Sequence, residues 1–296
     1  MRLPPPPLAP FDTAQVREYY DRHTSIFVAF GRGGSVGAIH RPVWGPGVES
    51  REGAFHYVDD RIAEVVRRMP ATDGPLHIVD LGCGVGASLC YLAAQMPIRG
   101  TGVTLSPIQA RLAAERARDA GVSERVVCIE ASYDDLPTAI SPADVAYAIE
   151  SFAHAPAPER FFAECGRLVK PGGALVICDD FKRAAAGRRA ERTIARFARG
   201  WHLNSLLQPD HMRTLAATAG FSLESRTDLS PYLERPSLRD RVVDASLGWL
   251  PLDRTPLGPV LGGTALLTCV ANGWTGYELM VFRRRELPQD DLLAPS

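Results

Sequence analysis

The sequence predicts a doubly wound, mostly parallel seven-stranded α/β sheet, on three observations. From residue 76 onward, short apolar β-branched runs alternate with segments of helical spacing. The first run leads into a glycine-rich turn and then a helix. The residues able to do chemistry fall after the carboxyl ends of the runs, where open parallel sheets take their ligands.

The elements follow in order. Residues 12 to 30 repeat Val16, Tyr19, Tyr20, His23, Ile26 and Phe27 at helical spacing. A glycine-rich loop, 31 to 37, leads to a His- and Trp-bearing stretch, 38 to 47. Phe55 to Met69 is a second amphipathic helix through Val58, Ile62, Val65 and Val66. Leu76 to Leu81 is the first strand, apolar as a strand covered on both faces should be. Gly82, Gly84 and Gly86 permit a tight turn and leave bare N–H groups at the start of the next helix, a place that attracts an anionic group. Further strands are expected at Ile98–Leu105, Arg125–Ala131, Ala143–Ile149, Gly172–Asp179, Phe221–Leu229 and Gly276–Arg283, with helices at Ile108–Ala120, Glu159–Leu168 and Asp210–Ala219. Arg188, Arg192, Arg196 and Arg199 form a basic helical stripe, either a solvated face or a lid that meets an anion. The Pro- and Gly-rich piece from Ser230 to Gly263 is an insertion whose Trp249 and leucines could roof an apolar pocket. The layout is thus a helical cap over 1–70, a cofactor-binding core over 71–182, a lid over 183–213, and the end of the sheet with its roof over 214–296.

Composition bounds the rest. A chain of 296 residues with 46% hydrophobic content and a net charge of −1 is an ordinary globular protein, with no global reason to bind nucleic acid or membrane. Its six cysteines lack C-x-x-C pairing and read as reduced core thiols of a cytoplasmic protein. Neither a signal peptide nor a long apolar span is present, and Pro4 to Pro7 reads as a disordered or polyproline leader. A homo-oligomer is compatible with the sequence.

The G-x-G-x-G spacing, preceded by Asp80, differs from the dinucleotide G-x-G-x-x-G fingerprint. It resembles the cofactor loop of class I S-adenosylmethionine methyltransferases. Val103-Thr104-Leu105-Ser106-Pro107-Ile108-Gln109 resembles the segment of the tocopherol, sarcosine and cyclopropane branch that replaces the usual ribose-binding acid. Val169-Lys170-Pro171-Gly172-Gly173 resembles the superfamily's LKPGG turn. By that resemblance Asp80, Gly82, Gly84, Gly86 and Ile149 serve the cofactor, Thr104, Leu105 and Gln109 meet its ribose, and Ser132 and Tyr133 are candidates for its adenine. Gln109 also reads as a solvated first turn of its helix, and Asp134 and Asp135 as turn residues.

Tyr147-Ala148-Ile149-Glu150-Ser151-Phe152-Ala153-His154-Ala155-Pro156 resembles a segment of sterol methyltransferases, and tocopherol and geranyl diphosphate enzymes have a related glutamate there. The resemblance implies carbon methylation of an isoprenoid or prenylated small molecule. An alkene that accepts a methyl becomes a carbocation, which must then lose a proton or cyclise. A carboxylate 4 Å from that charge stabilises it by about 4 kcal/mol at an effective dielectric near 20, and each aromatic face adds roughly 0.5–2 kcal/mol. Glu150 is the carboxylate on this reading. His154 is base or partner, and Tyr19, Tyr20, Phe152, Trp44 or Trp201 supply the faces. Each also has a plain role: Glu150 as a helix cap or cofactor ligand, and His154 and the aromatics as packing. His40, Arg41 and His56 are further candidates. The acceptor is either a free prenyl diphosphate, with Mg²⁺ and Arg192 or Arg196 holding it, or a prenylated scaffold with neither. A small-molecule O- or N-methyltransferase and a non-catalytic cofactor-binding subunit are the rival readings.

Overall fold

The computed structural model describes residues 10–30 (backbone alone at 23 and 25–30), 37, 39–183, 187–237 and 258–286. The Pro4–Pro7 leader, most of the 31–37 loop, and Trp249 with the bulk of the expected roof lie outside the described residues.

Seven strands form one sheet: β1 (His77–Leu81), β2 (Arg99–Thr104), β3 (Val126–Glu130), β4 (Ala143–Ile149), β5 (Val169–Lys182), β6 (Phe221–Asp228) and β7 (Thr275–Arg284). Their spatial order is β3-β2-β1-β4-β5-β7-β6. Strands β1 to β5 pair in parallel, and β7 runs antiparallel between β5 and β6. The chain winds outward from β1 to β3, then returns to β4 on the other side of β1. The crevice where the winding reverses therefore opens beyond the carboxyl ends of β1 and β4.

Alternation along the buried strands feeds two cores. Ile78, Val145, Tyr147, Val176 and Cys178 pack with helices α2 (Arg51–Arg67) and α3 (Ala87–Gln95) on one face. Val79, Leu81, Ala146, Ala148, Leu175 and Ile177 face the other way, onto α5 (Pro158–Leu168) and α7 (Pro209–Thr218). All seven β4 residues are buried, as a strand covered on both faces requires. Helix α4 (Pro107–Asp119) starts at a Ser106 cap, whose hydroxyl accepts from Gln109 N.

Two elements depart from the sequence expectation. Strand β5 begins at Val169 rather than Gly172, because Val169 pairs with Ala143 and the register then shifts before Ala174 meets Val145. The Lys-Pro-Gly-Gly turn is thus an irregularity inside the strand. Its Gly173 lies so close to the Asp144 carbonyl that a Cβ would stand 2.9 Å from it. The second departure is helix α8 (Gly258–Ala271), which occupies the end of the expected insertion and packs on α6 (Arg188–Gly200). Only Gly at their crossing lets these helices approach. A Cβ on Gly200 would lie 2.7 Å from both the Gly258 carbonyl and the Gly262 Cα. Gly200→Ala is therefore expected to cost about 1–3 kcal/mol by overpacking, read as a lowered urea midpoint with an unchanged slope.

Candidate active site

A cavity of about 290 Å³ opens at the switch point. Its walls come from the glycine turn after β1, from Thr104 to Ser106 with Gln109, from Ile149 to Ser151 after β4, and from Asp179 and Asp180 in β5. Helix α1 (Thr13–Phe30) closes it with Val16, Tyr19 and Tyr20, and residues 39–42 enter from the side with His40 and Arg41.

The glycine turn has the backbone that its residues require. Gly82, Gly84 and Gly86 have φ of 97°, 51° and 74°, the left-handed region that side chains avoid. A Cβ on Gly82 would also strike Ser151 Cβ at 2.4 Å, so the turn and the end of β4 touch through a glycine. Gly82 N and Cys83 N both donate to the Val103 carbonyl, which pins the turn over β2.

Glu150 is the first residue past β4, with a φ of +48° although it is not glycine. Its Oε1 accepts from Arg41 N at 2.9 Å and Arg41 Nε at 3.0 Å. The far edge of the same guanidinium meets Asp180 Oδ1 at 3.3 Å and Oδ2 at 2.7 Å, and its plane lies 4.1 Å from the Tyr277 ring centre. Burial opposes the Glu150 charge, but Arg41, aided by His40, outweighs it and holds the carboxyl below its usual range. Its Oε1 is committed to the Arg41 guanidinium and backbone. Asp179 differs: burial, then the charge of Asp180, pushes it up to about 7, although its oxygens accept from Ala153 N and Asp180 N.

His154 sits in a short 3₁₀ turn after β4. Its Nδ1 lies 3.1 Å from the His202 carbonyl, which can only accept, so Nδ1 carries the proton. Nε2 is then the bare nitrogen, and it accepts from Tyr20 Oη at 2.7 Å. Burial lowers the His154 pKa to about 4, against the pull of the His202 carbonyl and Glu150. Burial also raises Tyr20 well above a phenol's ordinary value, with Tyr19 adding to it. The pair is neutral at pH 7, aligned, and on the cavity wall.

Of the residues expected in the site, Asp80, Gly82, Gly84, Thr104, Leu105, Gln109, Tyr133, Ile149, Glu150, His154, Tyr19 and Tyr20 share this one cavity. Gly86 and Ser132 do not line it. Gly86 is held beneath the turn, where a Cβ would meet Ala113 at 3.0 Å, and Ser132 folds back so that its hydroxyl accepts from Asp134 N. Gln109 is buried rather than solvated, its amide linking Thr104 Oγ1 to Thr24 Oγ1 on α1. Phe152 is fully buried among Phe161 and Phe162, and Trp44 is 38% exposed away from the cavity, so of the non-tyrosine aromatics Trp201 alone stands on the wall. His56 pairs with Asp59 and stacks on Tyr91. Arg192 and Arg196 are absent from the wall, and among the described residues Arg41 is its sole Lys or Arg. The sequence patterns did not single out Asp179 and Asp180; an acid pair closing an apolar strand was the available signal.

The comparisons with known proteins agree with this geometry. Residues 79–177 match the model of a methyltransferase domain. The 27-O-demethylrifamycin SV methyltransferase of Amycolatopsis mediterranei is 30% identical over 200 residues, 67% of this chain and 71% of that protein. The chain belongs to the class I S-adenosylmethionine-dependent methyltransferases. O-methyltransferase rstn1 of Aspergillus nomiae is 29% identical to the methyltransferase over 73% of this chain and 92% of its own. The 24-methylenesterol C-methyltransferase 2 of Oryza sativa is 29% identical over 62% of this chain, which spans half of that protein. Among solved structures, the [4+2]-cyclase SpnF superposes with a TM-score of 0.70 at 27% identity, covering 95% of this chain and 98% of its own.

The site residues fit the family's cofactor. Four acidic side chains, Asp80, Glu150, Asp179 and Asp180, face a cavity with one guanidinium; burial pushes Asp80, Asp179 and Asp180 up, and a ligand carrying ammonium and sulfonium charges would draw them back towards ionisation. The left-handed glycines leave a cradle in which a Cβ on Gly84 would meet only Ile39, at 3.5 Å. Among the described residues no group of three or more His, Cys, Asp or Glu could hold a metal ion, and no helix is long and apolar enough to cross a membrane.

Two measurements check this electrostatic picture. Arg41→Ala strands two buried carboxylates and should destabilise the fold by about 3–5 kcal/mol in urea titration, with Arg41→Lys recovering part of the loss. In ¹⁵N-histidine NMR, His154 should appear as the Nδ1–H tautomer and stay neutral as pH falls through 6.5, protonating only near 4. Because its folded pKa is depressed, the stability it contributes is complete above 6.5 and lost as pH falls towards 4.

Proposed function

We propose that this methyltransferase moves a methyl group onto a hydroxyl of an uncharged, largely apolar small molecule, with Tyr20 and His154 as the proton acceptor. The observation that carries the reading is the 2.7 Å contact from Tyr20 Oη to a His154 nitrogen left bare by the His202 carbonyl. When bound, S-adenosylmethionine supplies an electrophilic methyl group, held by the Gly82–Gly86 turn, Asp80 and the Thr104–Gln109 segment. Tyr20 takes the acceptor's hydroxyl proton as its own proton passes to His154 Nε2. The imidazolium so formed keeps its Nδ1–H bond to the His202 carbonyl and lies near the negative charge of Glu150, which favours it.

The wall's charges argue for an uncharged acceptor. A free diphosphate would face four acidic side chains, Glu150 held ionised among them, and Arg41 is already committed to two of the four. The expectation of Mg²⁺, tied to a diphosphate, lapses with it. Two relatives named as O-methyltransferases, and one named as a methyltransferase of 27-O-demethylrifamycin SV, support an oxygen acceptor.

A second reading keeps carbon methylation of a prenylated or isoprenoid alkene. It is favoured by the excess of acid over base on the wall and by the Tyr19, Tyr20 and Trp201 rings around it, which suit a carbocation. Sterol methyltransferase relatives support it. The same Tyr20–His154 pair would then take the proton from the cation rather than from oxygen.

Turnover of a panel of apolar alcohols, phenols and prenylated scaffolds with ¹³C-methyl-labelled cofactor separates the two. The oxygen reading expects a product methyl in the methoxy region of the carbon spectrum. A methyl on quaternary or olefinic carbon would replace it with the alkene reading. His154→Ala should lower kcat by about 10²–10⁴-fold, with S-adenosylhomocysteine affinity within about threefold of wild type by calorimetry.

A further inference from the structure

We infer that Asn204 is a positioning residue that holds the two halves of the proton-acceptor pair in register; the inference rests on the reading of Tyr20 and His154 given above. These residues lie 134 positions apart in the chain, one on the cap helix and one in the turn after β4. Something must set the distance between the two pieces, since a contact of 2.7 Å tolerates little displacement.

The Asn204 side chain reaches both. Its Oδ1 accepts from Phe11 N at 2.8 Å, while its Nδ2 donates to the Phe11 carbonyl at 3.0 Å and to the His154 carbonyl at 2.9 Å. One primary amide thus uses an acceptor and both of its hydrogens, a set that neither aspartate nor alanine can supply. Phe11 is the residue just before a helix start that caps itself: Asp12 N donates to Gln15 Oε1, and Gln15 N donates to Asp12 Oδ1. Fixing Phe11 therefore fixes the origin of α1, and the helix carries that position rigidly to Tyr20. Next to Asn204, the His202 ring packs 4.2 Å from Phe11 and 4.6 Å from Tyr19, while the His202 carbonyl orients His154.

The segment does not depend on the amide for its own place. Asn204 N and Ser205 N both donate to the Ala153 carbonyl, and Ser205 Oγ donates to the Ala155 carbonyl. Removing the side chain leaves those bonds intact, so the fold is expected to survive while the register is lost. A displacement near 1 Å at a reacting pair costs about 10²-fold in rate.

A double-mutant cycle tests this, with kcat, KM and S-adenosylhomocysteine affinity measured for Asn204→Ala, Tyr20→Phe and both together. Asn204→Ala is expected to lose about 10²-fold in kcat at unchanged homocysteine-cofactor affinity. In the Tyr20→Phe background the same change should cost less than about twofold, because the contact it protects is already gone. Asn204→Asp, which keeps the Phe11 N–H acceptor but not the donations, should fold and still show most of the loss. The acid limb of the Asn204→Ala rate profile should move up from about 4 towards 6.5 as His154 gains water. Independent, additive losses, or an Asn204→Ala enzyme at wild-type rate beside a slow Tyr20→Phe enzyme, would overturn the inference alone. A Tyr20→Phe enzyme at wild-type rate would instead overturn the proton-acceptor reading beneath it.

Discussion

One guanidinium organises this active site. Arg41 lies between Glu150 and Asp180, flat against Tyr277, with its own backbone N–H also directed at Glu150. Two carboxylates at the ends of neighbouring strands β4 and β5 would repel each other across a low-dielectric gap, and burial would drive protons onto them. Arg41 offsets that repulsion, holding Glu150 below its usual range while burial still leaves Asp180 up at about 6, and supplies charge-assisted hydrogen bonds to both. The strand ends can then come together, and the short turn carrying His154 has a fixed base. The clamp also separates two kinds of group on one wall: Glu150 is kept ionised and tied to Arg41, while the Tyr20–His154 pair stays neutral.

The cap helix α1 completes what the clamp begins. Asp21 accepts from Ser106 Oγ, Gln109 Nε2 donates to Thr24 Oγ1, and Tyr20 reaches His154. A single helix therefore touches the cofactor segment after β2 and the chemical segment after β4, and its placement is felt at both. This is the physical content of a roof: its hydrogen bonds join two loops that the sheet alone leaves separate.

Much of the fold was legible because it rests on local rules. The β-branched runs and the glycine turn after β1 follow from spacing and residue type within a few positions. Twelve of the expected residues line one cavity; they were legible through resemblance to family motifs after the strands and in the cap helix, without any need to know their partners. What escaped depends on pairs far apart in sequence. Arg41 was a candidate beside His40 and His56, but its pairing escaped because its partners lie 109 and 139 residues away. Glu150 was expected to steady a carbocation, cap a helix or hold the cofactor, because the sequence could not reveal the guanidinium beside it. Phe152 was expected on the cavity because it neighbours Glu150, but the 3₁₀ turn rotates it inward onto Phe161 and Phe162.

Glu150 stands in a backbone conformation that glycine adopts freely and a branched chain resists, at a cost of about 1–3 kcal/mol. Glycine at that spot would relax the peptide, yet leave Arg41 with nothing to grip on that side. The tip of β4 therefore carries local strain in exchange for the direction in which its bent peptide throws the carboxylate.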